Sequence, residues 1–365
     1  MKPRINSLAA FSPVVLVVGL SACGDLTEGN AAQPIGALSL VSSSHDGLQP
    51  MDAIVQRTPI TGSGSIGTVT LVTLDVPLDV GVDAVAIAAD GAPWFTKYGQ
   101  LLRVASDDTV GVLPMPSGAG FAPAIASDGA GALWMANWLP QQGLGRLDPT
   151  TGEIQLFDVP GPLARPTAVG SDGHGGVWLT GGDRPIIGRL DAANHVFVVA
   201  AENAPAPITV QLGGVAVASD GQVFVSDYAE GRIGRVQGTR FIWTDIDPSA
   251  APSGMAADTD GSVWFVSLGL PNCVGRVDHD GVLQTYELPA WPTEVSSKSG
   301  STIARGPDGS FWFTLPERAQ LGRVDANGGL SFLQLPSGSL PRGLAFDPAG
   351  RLWFTRSGGF GRIEL

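Results

Sequence analysis

Cysteine is nearly absent: Cys23 and Cys273 are the two in 365 residues, and Cys23 stands at the end of an N-terminal apolar stretch. Cys273 is then left without a partner, which excludes a disulfide framework and a cysteine metal site. Histidine is scarce as well, with four, and charged residues make up only 15% of the chain. Basic residues are the rarer sign: 21 Lys and Arg face 34 Asp and Glu, a formal net charge of −13. Such a surface repels phosphate backbones and anionic headgroups, so no nucleic-acid partner is expected. Nor is there a long apolar run. Leu8 to Leu20 is too short to span a bilayer.

What the chain does have is turn residues, 50 Gly and 28 Pro, as a compact all-β protein of many hairpins requires. They punctuate a seven-fold repeat. Its aromatic anchors are Trp94, Trp134, Trp178, Phe224, Trp264, Trp312 and Trp353, at steps of 40, 44, 46, 40, 48 and 41 residues. Each anchor follows an Asp-Gly-type turn and opens an apolar run such as Trp312-Phe313-Thr314, which suits a strand pressed between neighbouring sheets. Nine to twelve residues later comes an arginine, from Arg103 to Arg362, preceded directly by Gly in six of the seven units. Period and strand length are those of a four-stranded antiparallel propeller blade. The prediction is an all-β, seven-bladed β-propeller in which the aromatics wedge blade against blade and the arginines are scaffold. Asp-rich turns such as Asp258-Thr259-Asp260-Gly261 read as hairpin turns with Gly at positive φ rather than as calcium loops.

The ends of the repeat indicate how the ring closes. The last unit, Pro341 to Leu365, lacks an outer strand, while Thr68-Val69-Thr70-Leu71-Val72-Thr73-Leu74-Asp75 has no partner of its own. That N-terminal strand is expected to complete the last blade and hide its edge. Ahead of it, residues 23–64 are rich in Gly, Ala, Ser, Gln and Pro and read as a flexible tether, with the propeller over 65–365. Residues 1–22 read as a signal peptide: Lys2 and Arg4, the apolar stretch, then Leu20-Ser21-Ala22-Cys23. This resembles a bacterial lipobox, which implies lipidation of Cys23, loss of Lys2 and Arg4 (net charge from −13 to −15) and an extracytoplasmic, lipid-anchored protein, on the outer membrane if the cell has one. Contact with the membrane is expected through the anchor alone, and the ring is read as a monomer.

The cadence Pro307-Asp308-Gly309-Ser310-Phe311-Trp312-Phe313-Thr314, then Gly322-Arg323-Val324-Asp325, then Leu333-Gln334-Leu335-Pro336 resembles the virginiamycin B lyase (streptogramin lyase) family over residues 66 to 365. The resemblance implies ring opening of a cyclic depsipeptide by elimination, with a histidine base eleven residues before a blade Trp and a divalent metal, usually Mg²⁺, on one face. Counting back eleven from four of the anchors gives Arg342, Ser301, Ser253 and Thr167, none of them histidine. By strand topology His174, His195 and His279 fall on the opposite face, and His45 lies in the tether. The family also carries a glutamate three or four residues after a blade Trp; only Asp227 is an acid at those positions here.

No catalytic residue, metal or cofactor is therefore assigned. The expected site is a binding rim formed by Lys97, Tyr98, Asn137, Trp138, Asp183, Arg184, Asp227, Tyr228, Arg342 and Arg356, where loop aromatics sit among mixed charges. The expected role is a module that binds a small molecule or an envelope protein, without the family's lyase activity. The alternative is an enzyme working at the central channel: a diverged streptogramin-type lyase using Mg²⁺, or a metal-dependent lactonase with Asn137 and Asp227 as ligands.

Overall fold

The Asp-Gly turns do the first work. Gly91 at φ 81° and Gly309 at φ 79° take the left-handed conformation that lets the first two strands of their blades fold back on each other, and the aspartates accept hydrogen bonds from the turn, as Asp90 does from the Ala92 N–H at 2.9 Å. The computed structural model describes residues 34–44, 47–76, 82–116, 120, 122–137, 143–164, 166–181, 185–191, 195–201, 212–270, 272–289 and 301–365. They form one compact all-β unit with two short 3-10 turns.

Blade 1 consists of strands β6 (Val82–Ile87), β7 (Pro93–Lys97), β8 (Gln100–Val104) and β9 (Val110–Pro114), from the channel outward. Blades 2 to 6 repeat this order, and blade 7 supplies three strands, Leu344–Phe346, Leu352–Arg356 and Gly359–Glu364. Its fourth is β5 (Thr68–Asp75), paired antiparallel with the third from Gly359↔Asp75 to Glu364↔Thr70. The predicted latch is therefore present, and the ring is a seven-bladed propeller of four-stranded blades.

Register explains the repeat. In every blade the anchor aromatic stands opposite the arginine, as Trp94 does Arg103 and Trp353 does Arg362. The arginine in turn reaches the turn aspartate: Arg276 to Asp260 at 2.6 Å, Arg323 to Asp308 at 2.8 Å, Arg103 to Asp90 at 2.9 Å. The glycine before the arginine is required by close approach, because a Cβ on Gly322 would lie 2.2 Å from the Phe313 ring. The aromatics are wedges as predicted. Seven apolar clusters each join two neighbouring blades, Trp94 packing with Leu133 and Met135 of blade 2, and Trp353 with Phe95 of blade 1. Cys273 is buried in one of them, and burial pushes its thiol up to about 11, away from reactivity.

The expectation of a flexible tether up to residue 64 is corrected from residue 34 onward. Strands β1 (Pro34–Ala37), β2 (Ser39–Ser44), β3 (Gln49–Met51) and β4 (Ile54–Thr61) lie antiparallel along the outer edges of blades 3, 2, 1 and 7 in that order, each as a fifth strand. The segment is a belt running against the direction of the ring. Main-chain pairing needs no apolar alternation, which is why composition conceals it; a few side chains, such as Met51, Val55 and Ile60, pack inward. The signal segment and Cys23 lie outside the described residues.

Belt, blade 7 and blade 1 meet at Asp108, in the turn between β8 and β9. Its carboxylate takes hydrogen bonds from Arg57 of β4 and from Arg362 of blade 7, both ion pairs, with Asp108 and Arg362 buried. Removing one partner of such a pair strands a buried charge. Asp108→Ala is expected to destabilise the ring by about 3 kcal/mol in urea unfolding; a change below about 0.5 kcal/mol would show that the pair does not hold the seam.

Candidate functional site

On the face where one blade passes to the next, hydroxyls of the second strand hold the start of the inner strand in blades 1, 3, 6 and 7, while blade 2 has Ala136 at that position. The Thr of the Trp-Phe-Thr pattern accepts an N–H from the residue twelve before it: Ala84 to Thr96 at 3.1 Å, Ala168 to Thr180 at 2.9 Å, Thr302 to Thr314 at 2.9 Å, Gly343 to Thr355 at 2.8 Å. The same rim of hydroxyls donates onward to the next blade. Ser226 bonds the Ser253 carbonyl at 2.9 Å, Thr314 the Arg342 carbonyl at 3.1 Å and Thr355 the Asp83 carbonyl at 3.5 Å. These threonines and serines are fully buried, so each bond replaces hydration that the group has lost.

The hydroxyl ring frames the channel mouth, a cavity of about 480 Å³. The residue eleven before the anchor lines it in all seven blades: Asp83, Pro123, Thr167, Gly213, Ser253, Ser301 and Arg342. Position nine before the anchor adds Val85, Ile125, Val169, Val215, Met255 and Leu344, so the mouth has a mixed polar rim over an apolar wall. Asp83 and Arg342 are the charged members of that rim and come from blades 1 and 7. Burial pushes the Asp83 carboxyl up to about 6, against the opposing pull of the Arg342 guanidinium.

Asp83 is absent from the sequence-derived candidates, although counting back eleven from Trp94 reaches it. Of those candidates, Arg342 and Tyr228 line the cavity. Tyr98 is exposed in the turn after β7, and Lys97 ends that strand with its ammonium 3.4 Å from Gln100. Asp227 is fully buried and committed: Arg232 donates to it at 2.9 Å and the Glu230 N–H at 3.2 Å, with the guanidinium stacked 3.9 Å from the Trp243 ring. Arg356 pairs with Asp75 of β5 and so belongs to the latch. Asn137 ends the second strand of blade 2, while Trp138, Asp183 and Arg184 lie outside the described residues. At the far face His174 and His279 sit in turns and His195 opens the outer strand of blade 3, with His195 and His279 each 3.2 Å from a carboxylate, of Asp191 and Asp280.

These features define a closed propeller with a one-sided site at the channel mouth. Residues 203–365 match the model of the Virginiamycin B lyase family. A virginiamycin B lyase from Nocardia farcinica is 37% identical over 110 residues, or 30% of this chain, and the match spans 36% of that relative's length. A solved streptogramin B lyase superimposes with a TM-score of 0.71 at 21% identity, covering 81% of this chain and 97% of that one. Virginiamycin B lyase from Staphylococcus aureus gives a TM-score of 0.70 at 19% identity, covering 86% and 100%. Over residues 203–365 the chain is similar to the Virginiamycin B lyase family, and at these identities the solved structures speak for the seven-bladed propeller fold alone.

Among the described residues the magnesium implied by the resemblance finds no fitting donors. A divalent cation of this kind needs oxygen ligands with carboxylates among them; the mouth offers Asp83 with a guanidinium acting on it, and no group of three or more His, Cys, Asp or Glu comes together among the described residues.

The raised Asp83 carboxyl has a consequence for stability. Between its ordinary value of 3.8 and about 6 the unfolded chain gives up the proton first, so ionisation favours unfolding and stability falls as pH rises through that window. Asp83→Asn is expected to melt like the parent near pH 4 and to be more stable above about pH 6.5, by about 1 kcal/mol after allowance for partial solvation. An identical offset at both pH values would contradict the assignment.

Proposed function

We propose that this protein is a ligand-binding propeller of the cell envelope, anchored by lipid at Cys23, and that it does not open streptogramin rings. The observation carrying this reading is the rim of the cavity. Its seven positions eleven before the anchors hold no histidine and a single carboxylate. Removal of a proton α to a carbonyl calls for a base poised near neutrality and a group to hold the enolate oxygen, and the histidine and metal that the resemblance supplies for those tasks have no counterpart among the described cavity residues.

The cavity volume lies within the usual range for small-molecule sites, and its wall is mainly apolar with few polar groups, which favours a small ligand. The lipobox-like Leu20-Ser21-Ala22-Cys23 and the acidic, nearly cysteine-free ring support an extracytoplasmic location on a lipid tether.

The mature chain carrying Cys23→Ser, incubated with a streptogramin B depsipeptide and Mg²⁺, is expected to yield no linear product by chromatography. Turnover would overturn the binding reading. In cells, Cys23→Ala is expected to move the protein from the membrane fraction to the soluble fraction, and unchanged membrane association would refute the anchor.

A further inference from the structure

Arg342 is, among the described residues, the arginine that lines the cavity. Its backbone is fixed on three sides: the carbonyl accepts from Thr302 at 2.6 Å and Thr314 at 3.1 Å, and the N–H reaches the Thr355 carbonyl at 3.4 Å. Its side chain lines the cavity, and no hydrogen bond or ion pair to it forms among the described residues. Asp83, across the junction of blades 7 and 1, is in the same position. The other charged groups on elements packed against β6 are occupied elsewhere: Lys97 of β7 lies by Gln100, Arg356 of blade 7 holds Asp75, and Asp347 beyond the inner strand of blade 7 holds Arg351 at 2.6 Å. The neighbouring inner strand of blade 2, Ala124–Ser127, carries no titratable side chain, and across the cavity stands Tyr228. Arg342 and Asp83 therefore face the cavity as a loose pair above an apolar wall.

We propose that the channel mouth is a proton-linked binding site for a small apolar monocarboxylate, with the ligand's carboxylate on Arg342, its apolar body on Val85, Ile125, Val169, Val215 and Met255, and Asp83 taking up a proton as the ligand enters. This rests on the binding reading above. The charge balance selects the class. A guanidinium takes a carboxylate in two parallel hydrogen bonds, whereas a cation would meet Arg342 and a dianion would be opposed by Asp83. A neutral ligand would desolvate both charges and satisfy neither. With a carboxylate on Arg342, an ionised Asp83 becomes the uncompensated charge, and protonation removes it. The Asp83 carboxyl, already pushed up to about 6 by burial, titrates where this uptake is within reach at neutral pH. Affinity is then high below that value and falls as pH rises above it.

The test is calorimetric titration of the mature chain carrying Cys23→Ser with 4-phenylbutanoate and with its neutral amide, near pH 7, in two buffers of different ionisation enthalpy. The acid is expected to bind at least about tenfold tighter than the amide, to take up close to one proton, and to weaken roughly tenfold for each pH unit above about 6.5. Arg342→Gln is expected to remove the preference for the acid, and Arg342→Lys to keep part of it. Asp83→Asn is expected to keep acid binding and abolish proton uptake and the pH dependence. Equal binding of acid and amide, binding of neither, or proton uptake that survives Asp83→Asn would overturn the proposal. Streptogramin turnover would sink the binding reading independently of these results.

Discussion

The junction between blade 7 and blade 1 is the constraint on which the rest of the ring depends. Six junctions join blades that follow one another in the chain; this one joins Asp108 to Arg362 across 254 residues and Asp83 to Thr355 across 272. Closing so long a loop costs chain entropy that the local hairpins never face. The seam is correspondingly held at three radii. Near the channel Thr355 donates to the Asp83 carbonyl, and midway Phe95 packs edge-on to Trp353 at 6.1 Å and stacks on Phe360 at 4.3 Å. Outermost, Asp108 gathers Arg362 and Arg57, with β5 and the belt strand β4 running alongside.

The same seam makes the site. Asp83 opens blade 1 and Arg342 opens blade 7, so the two charges of the mouth come together only when the first and last blades close. Latch and channel mouth are thus one piece of architecture. What the resemblance carries is the remainder: aromatic anchor, facing arginine, turn aspartate and buried hydroxyl, all of which serve packing between blades. The rim position eleven before each anchor answers to none of these demands. It holds Pro, Gly, Ser, Thr, Asp and Arg in different blades, so chemistry can change there while the fold persists.

Much of the fold was legible because packing writes itself into spacing. A Trp or Phe about every 43 residues, a glycine opposite the ring that follows it, and the alternation of Thr68 to Asp75 each encode an obligatory contact. The belt was not legible, since β1 to β4 pair through their main chains and leave most side chains outside. Asp227 illustrates the limit at the site: as an isolated acid after Phe224 it reads as available, and only the hairpin shows Arg232 folded back onto it. Arg356 likewise reads as rim until β5 brings Asp75 to it. Asp83 escapes notice for a simpler reason. Its position in blade 1 emerges only when the count back from the aromatic is made in every blade, and its significance only when Arg342 of blade 7 is placed in the same cavity.

The most direct test of this account is the titration of the Asp83 carboxyl itself, followed by carbon NMR in the parent and in Arg342→Gln. The account predicts a midpoint near 6 that moves higher when the guanidinium is removed, because burial raises it and Arg342 opposes. A midpoint near the ordinary 3.8, unmoved by Arg342→Gln, would mean that closure does not bring the two charges together at the mouth and would contradict the account.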